Sequence, residues 1–425
     1  MNIYINCSAR SLMHGGYAEF SRGITAGLAL SGANVFIRDD VYEKKSPSSK
    51  YNQLITNCQN IKKLTDISKQ DIDFELVITS INNIPDVKNI LPFGKKILIT
   101  GSPFLGITHS NLEKIKDYNA VFYSGSVDEK NFLNILGFDL PQPVDIDRFN
   151  QGHSEIYLSK ILNSIGFGVD NCLNLLFVGT FNYWKGVDVA IKSFILSDIK
   201  KDSTLLLKCG IYHRNTSLSY KEYKNFISHL ELFISCINTY IEMCNCKGIF
   251  DLSFVSDGMY VIDLDFGIKS NFKKRIVLDM YQEYDISPFY SRSDVVLCPS
   301  RGETWSMPVV EAILHNKFVI LSEHIGSSKY VASYSRAYII PSHQQAFIDY
   351  NFDDRSSGGG RQYAEKGIYY FEPNIEKIAS ALTDISNIVN QSLPDNKEGS
   401  SLVMDKFSWE KIGKQYYDCL CTNKF

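Results

Sequence analysis

Neither sign of charge dominates this chain of 425 residues: 44 Lys and Arg face 47 Asp and Glu, for a net charge of -3. So even a balance supplies no bulk attraction to nucleic acid or to an anionic membrane surface. Long apolar stretches are missing as well. No run reaches the roughly 18 residues that cross a bilayer as a helix. The N-terminus (Met1-Asn-Ile-Tyr-Ile-Asn) enters a strand-like run at once, without a basic and apolar leader. The ten cysteines are scattered along the chain, and Cys172, Cys209 and Cys298 lie in apolar runs, as buried reduced thiols do. Two C-x-C pairs, Cys244/Cys246 and Cys419/Cys421, are spaced more tightly than structural zinc sites usually are. The expectation is a cytoplasmic protein with no transmembrane segment and no metal, with peripheral membrane contact left open.

What is present describes an ordinary globular chain, with 44% hydrophobic and 21% charged residues. Its length exceeds one core of about 150 residues, so two domains are expected. Strand-like runs and glycine loops alternate with helical spacing, an α/β pattern. Ile3-Tyr-Ile5 reads as a strand, followed by a loop ending in Gly15-Gly16. Phe20, Ile24 and Leu28 then share one helix face, Gly32 ends that helix, and Asn34–Ile37 is the next strand. Further strands are expected at Phe74–Thr79, Lys96–Thr100 and Ala120–Tyr123. A second βαβ unit opens with a strand at Asn174–Val178, a loop at Gly179–Gly186 and a helix at Val187–Leu196, and the strand Thr204–Leu207 follows. Residues Asn215–Lys247 read as a mostly helical insertion, and Gly258–Gly267 as β-rich.

The most informative stretch is Pro299-Ser-Arg-Gly-Glu303-Thr-Trp-Ser-Met-Pro-Val-Val-Glu311-Ala, which sets two glutamates eight positions apart. Val295–Cys298 is a buried strand by composition, and Ser306 with Pro308 opens a helix that runs on through the apolar residues to Leu314. Glu303 then lies in the loop at the carboxyl end of a strand, and Glu311 just over a turn inside the helix. The backbone N–H groups of Trp305, Ser306 and Met307 would point outward at the positive end of the helix dipole. That arrangement suits a phosphate, with carboxylates on either side to accept hydrogen bonds from sugar hydroxyls.

The order strand, Pro-Ser, Glu, aromatic, small residue, Pro, Glu-Ala, strand resembles the donor-site motif of retaining glycosyltransferases of family 4 (glycosyl transferases group 1), which have the GT-B fold. Two further segments carry the resemblance: Pro141-Gln-Pro-Val-Asp145-Ile-Asp-Arg-Phe149, like the interdomain segment, and Phe407-Ser-Trp409-Glu-Lys-Ile, like the C-terminal signature. It implies two Rossmann-like domains facing each other: residues 1–152 on the acceptor side, 153–405 binding the nucleotide sugar, and a helix over 406–425 returning to the first domain. It also implies transfer of a sugar from a UDP- or GDP-linked donor to a hydroxyl of a glycan, lipid-linked or other polymer acceptor, as in polysaccharide biosynthesis. Configuration would be retained, and neither a metal nor a cofactor would take part. Among candidate catalytic residues, Glu303 would lie beside the transferred sugar and Lys185, in the loop Gly179-Thr180-Phe-Asn-Tyr-Trp-Lys185-Gly186, would neutralise the pyrophosphate. Donor-binding candidates are Glu311 (ribose), Thr304, Trp305, Ser306, Met307, Gly15, Gly16, Gly179 and Thr180.

Two departures from the pattern matter. Thr180 stands where family members usually carry arginine, and Lys208 and Arg214 are candidates to replace that charge. The histidine expected after a first-domain strand is displaced. The matching run is Ile97–Pro103, so His109, His14 and Ser102 are the candidates for a base or an acceptor contact. Asp263-Leu-Asp265 has the spacing of the Asp-x-Asp metal motif of GT-A transferases, but its apolar neighbours alternate as in a strand. Two other classes are kept beside the transferase: a sugar-nucleotide-binding partner subunit with little activity, and a sugar-nucleotide epimerase. A nucleic-acid acceptor has no basic excess behind it.

Overall fold

The computed structural model describes the chain except for residues 8–15, 39–41, 43–48, 80–83, 88–89, 91–93, 101–108, 125–136, 148–159, 161, 182, 214–230, 232–233, 236, 240–241, 243–252, 257–258, 265–271, 283–284, 347–368, 390–396 and 423–425. Short Val/Ile/Leu runs bounded by polar residues and glycine build two sheets. Strands β1 (Asn2–Cys7), β2 (Asn34–Ile37), β3 (Ile61–Lys63), β4 (Phe74–Ile78), β5 (Lys95–Thr100), β6 (Ala120–Tyr123) and β7 (Gly137–Asp139) form the first. Its order is β3-β2-β1-β4-β5-β6-β7, and every pairing is parallel. The inner strands of such a sheet are covered on both faces, which explains an unbroken apolar run such as Ala120–Tyr123 in β6.

Helix α1 (Gly16–Leu30) lays Phe20, Ile24 and Leu28 on this sheet, all three buried. It ends as the sequence predicts. Gly32 has φ +94°, and the N–H groups of Ala33 and Gly32 donate to the carbonyls of Leu28 and Ala29 at 3.1 Å each. This paired closure needs a left-handed residue, which glycine adopts without strain. Helices α2 (Ser49–Asn57) and α3 (His109–Ile115) also belong to this unit.

The second sheet contains β8 (Leu173–Val178), β9 (Ser203–His213), β10 (Ser253–Ser256), β11 (Met259–Leu264), β12 (Lys274–Gln282), β13 (Val295–Cys298), β14 (Phe318–Ser322) and β15 (Ala337–Ile340). Its order is β10-β11-β12-β9-β8-β13-β14-β15, parallel except where β11 runs against β10 and β12. Helices α4 (Val187–Leu196), α5 (Ser287–Arg292), α6 (Met307–Leu314) and α7 (Ser328–Val331) accompany it, and a hairpin of β16 (Ser342–Ala346) and β17 (Tyr369–Pro373) follows. Alternate residues of β8 face opposite cores: Leu175 and Phe177 one way, Leu176 the other.

The last helices are α8 (Ile375–Val389), α9 (Glu398–Phe407) and α10 (Trp409–Thr422). The chain bends at Ser408, which has extended backbone. Helix α9 packs on α6 of the second unit, while α10 packs on α1 of the first, with Trp409, Ile412 and Tyr416 in that unit's core. Glycine makes the α1–α10 crossing close: a Cβ on Gly27 or on Gly413 would run into the backbone of the other helix. The Pro-rich segment 140–147 crosses between the units beside this bend. Val144 N–H donates to the Phe407 carbonyl at 2.8 Å, and Val144 pairs in parallel with Ser408.

Candidate functional site

The order of the second sheet reverses between β8 and β13, which are neighbours. The chain leaves these strands in opposite directions at such a point, so a crevice opens beyond their carboxyl ends, where ligands bind in open α/β sheets. The loop after β8 carries Thr180 and Lys185. The loop after β13 carries Glu303 and leads into α6. Lys185 closes a 3₁₀ turn (Tyr183–Lys185), and its Nζ forms an ion pair with Glu303 Oε2. Both side chains are partly exposed, at 32% and 17%, so the pair faces solvent rather than the core.

Gly186, at φ +71°, allows the two loops to touch, since a Cβ there would run into the carbonyl of Pro299. The N–H groups of Arg301 and Gly302 donate to the carbonyl of Trp184 at 2.8 and 3.3 Å, joining the loops through backbone as well.

Helix α6 begins at Met307 with Pro308 in its first turn, as the sequence predicts, and Ser306 is its N-cap residue. The cap differs from expectation. Ser306 has left-handed backbone (φ +68°) and makes no side-chain capping bond; its hydroxyl interacts with the Cys298 thiol instead. None of the described residues accepts a hydrogen bond from the backbone N–H groups of Trp305, Ser306 or Met307, so these donors stand at the positive end of the helix. The Trp305 ring is core. It is 2% exposed and packs on Tyr330 and Phe407, with ring centroids 5.3 and 5.6 Å away. Only its backbone is offered to a ligand.

Glu311 is buried on α6 and accepts a hydrogen bond from the Tyr290 hydroxyl at 2.7 Å. Beneath the loops lies Cys298, whose thiol is pushed up to about 12, first by burial and then by the negative charges of Glu303 and Glu311, with Ser306 and Lys185 acting the other way. One buried thiol thus senses all three charged candidates, which places Lys185, Glu303 and Glu311 around the end of β13. Gly179, where the loop begins, donates its N–H to the Lys208 carbonyl at 3.1 Å, and the Thr180 side chain is exposed.

Lys208 does not take over the role of the missing arginine. Strand β9 runs on to His213, past the expected end at Leu207, and Lys208 lies inside it. Its ammonium is buried against Asp279 at 2.8 Å and over the Phe289 ring at 4.8 Å. Arg214 lies outside the described residues. Asp263 is on β11 and forms a forked ion pair with Arg275 at 2.6 and 3.0 Å, while Asp265 lies outside the described residues. Among the described residues no cluster of His, Cys, Asp and Glu could hold a metal.

On the first-unit side, Gly16 opens α1, and the backbone of His109 opens α3. Gly15, His14 and Ser102 lie outside the described residues.

Sequence reasoning assigned no role to Arg301, although it sits two residues before Glu303. Its buried guanidinium binds Asp188 of α4 (2.6 and 2.7 Å) and Glu372 of β17 (2.7 and 2.8 Å), each in a forked pair. Burial alone would favour its neutral form, but Asp188 and Glu372 outweigh that and hold it protonated. Those partners are 113 and 71 residues away in the chain, so no local pattern announces them.

Two Rossmann-like units, each a twisted parallel or mixed sheet flanked by helices, define the GT-B class, and this chain has that fold. Residues 271–350, which include β13, the two glutamates and α6, match the model of the family glycosyl transferases group 1. Over this stretch, the resemblance to glycosyl transferases group 1 read from the sequence is therefore found independently. Solved structures with the same fold include Anabaena HepE in complex with UDP and glucose (11% identity, 99% of each chain covered, TM-score 0.56). A glycosyltransferase from Rickettsia africae is similar over 100% of this chain and 99% of its own (13% identity, TM-score 0.57). Sucrose-phosphate synthase from Thermosynechococcus elongatus is similar over 99% and 100% (13% identity, TM-score 0.55). No curated protein matches the sequence. No helix among the described residues is long and apolar enough to cross a membrane.

Proposed function

We propose that this protein is a retaining glycosyltransferase that moves a sugar from a nucleoside-diphosphate sugar to an acceptor hydroxyl. The observation that carries this reading is the meeting of Lys185 and Glu303 at the switch point of the second sheet, beside the N–H groups of residues 305–307, which have no acceptor among the described residues. A diphosphate there would meet the Lys185 ammonium and the positive end of a helix. Glu311, oriented by Tyr290, would accept hydrogen bonds from the ribose, and Glu303 from the transferred sugar.

In the reaction, the bond between the anomeric carbon and the leaving phosphate oxygen breaks and a bond to the acceptor oxygen forms. The acceptor's proton leaves with the nucleoside diphosphate. Lys185 and the helix N-terminus would stabilise charge on the departing group, so the reading needs no metal and no other cofactor. Residues 153–405 would hold the donor and residues 1–152 the acceptor, a glycan, a lipid-linked or another polymer hydroxyl. UDP is the first nucleotide to try, since solved neighbours were captured with UDP and glucose and with UDP-2-fluoro glucose.

A second reading, a nucleotide-sugar-binding partner with little turnover, has one observation behind it. Thr180 removes a cation, and the nearby cations Lys185, Lys208 and Arg301 are each engaged with carboxylates. Incubation with UDP- and GDP-sugars, with and without EDTA, separates the readings. Slow donor hydrolysis that survives EDTA supports the transferase, and binding without turnover supports the partner. Loss of activity restored by manganese would contradict the metal-free site.

A further inference from the structure

We propose that Arg301 is a positioning residue that holds Glu303 and Lys185 in register, anchored by Glu372 of the β17 hairpin, which lies outside the family-matched segment 271–350. The inference deepens the donor-site reading and rests on it for its catalytic consequence. Arg301 joins four elements. Its backbone N–H holds the Trp184 carbonyl, one residue before Lys185, at 2.8 Å. Its carbonyl accepts the Phe371 N–H at 3.1 Å. One fork of its side chain takes Asp188, in the first turn of the helix that follows Lys185-Gly186, and the other takes Glu372.

A planar guanidinium satisfies two carboxylates in two fixed directions at once, which an ammonium does not. The loop bearing Glu303 and the turn bearing Lys185 are therefore tied to one rigid group. Tyr370, next to Phe371, stacks edge-on against Trp184 with centroids 6.2 Å apart, so the hairpin touches the Lys185 turn by a second route. With both of its carboxylate partners in place, Arg301 is committed to this junction rather than to a phosphate.

The test compares wild type with Arg301→Lys and Glu372→Gln by amide hydrogen exchange and, where donor is consumed, by steady-state kinetics. In Arg301→Lys, exchange of the Arg301-position and Gly302 amides should quicken roughly tenfold or more, while Leu175–Phe177 in β8 hold within about twofold. Turnover should fall about ten- to a hundredfold, by more than KM changes. The double variant with Glu303→Gln should lose less than the product of the two single losses, because Arg301 acts in part through Glu303. If Arg301→Lys loses the β8 protection and so the fold, Glu372→Gln, which spares the Asp188 fork, carries the comparison with a smaller acceleration of about threefold. Unchanged exchange at 301–302, or losses that multiply in the double variant, overturns the proposal. Should wild type neither bind nor consume any nucleotide sugar, the donor reading fails, and the exchange measurement alone still decides whether Arg301 holds the loops.

Discussion

Lys185 and Glu303, 118 residues apart in sequence, form an ion pair across the switch point of the second sheet. The cation proposed to meet the pyrophosphate is thus paired with the carboxylate proposed to meet the sugar. On the proposed donor reading, a bound diphosphate would compete with Glu303 for Lys185. Removing the competing charge as Glu303→Gln should tighten UDP binding by about fivefold, the scale of a partly exposed ion pair, while turnover drops about ten- to a hundredfold. Lys185→Ala should weaken UDP binding. Titration calorimetry and donor-consumption rates on both variants check this.

The bond from Tyr290 to Glu311 carries a second prediction. Glu311→Ala should weaken nucleotide-sugar binding about ten- to a hundredfold, through the loss of charge-assisted hydrogen bonds. Tyr290→Phe keeps the carboxylate but not its orienting donor, so binding should weaken less, about three- to tenfold. Equal affinities in all three proteins would remove Glu311 from the donor site.

Thr180 gives the third. Its side chain is exposed, and Lys208, a candidate replacement for the missing arginine, is buried against Asp279. Thr180→Arg should therefore tighten UDP or GDP binding by the bidentate contact that arginine makes with phosphate oxygens. Weaker binding in that variant would mean that another cation already occupies the place.

Much of this was legible in the sequence where the signal is local. Strands β2, β6 and β13 and helix α4 fall at their expected bounds, because short apolar runs between glycine and polar residues leave little choice. The edge strands β3 and β7 escaped notice, since Ile61-Lys-Lys63 and Gly137-Phe-Asp139 carry charges that an edge tolerates and a centre does not. Strand β9 was cut short at Leu207 because a lysine looks like an end; Asp279, 71 residues away, neutralises it. The glutamates could be found by their spacing, but the clamp of Arg301 could not, because both of its carboxylates come from distant parts of the chain.

Two histidines, His324 buried and His315 half-buried, set an acid limit on stability. The His324 ring stacks on Phe371 with centroids 4.3 Å apart, and burial lowers its pKa from 6.5 to about 3. His315, stacked on Tyr290, is lowered to about 4 by burial and then by Lys317. Below pH 6.5 the unfolded chain takes up protons that the folded rings refuse. Their contribution is therefore complete above that pH and is lost as pH falls toward 3 to 4. Each ring contributes a slope of at most about 1.4 kcal/mol per pH unit. Urea midpoints should fall between pH 7 and 5, and less steeply in His324→Phe; an equal slope there would exclude His324 as a cause.

The most direct test of the donor site and its chemistry is time-resolved proton NMR of wild-type protein with an α-linked UDP-sugar. A retaining transferase will release UDP, with the freed or transferred sugar appearing first as the α anomer. A β anomer appearing first would contradict retention, and a donor neither bound nor consumed would contradict the placement of the diphosphate at Lys185 and the N-terminus of α6.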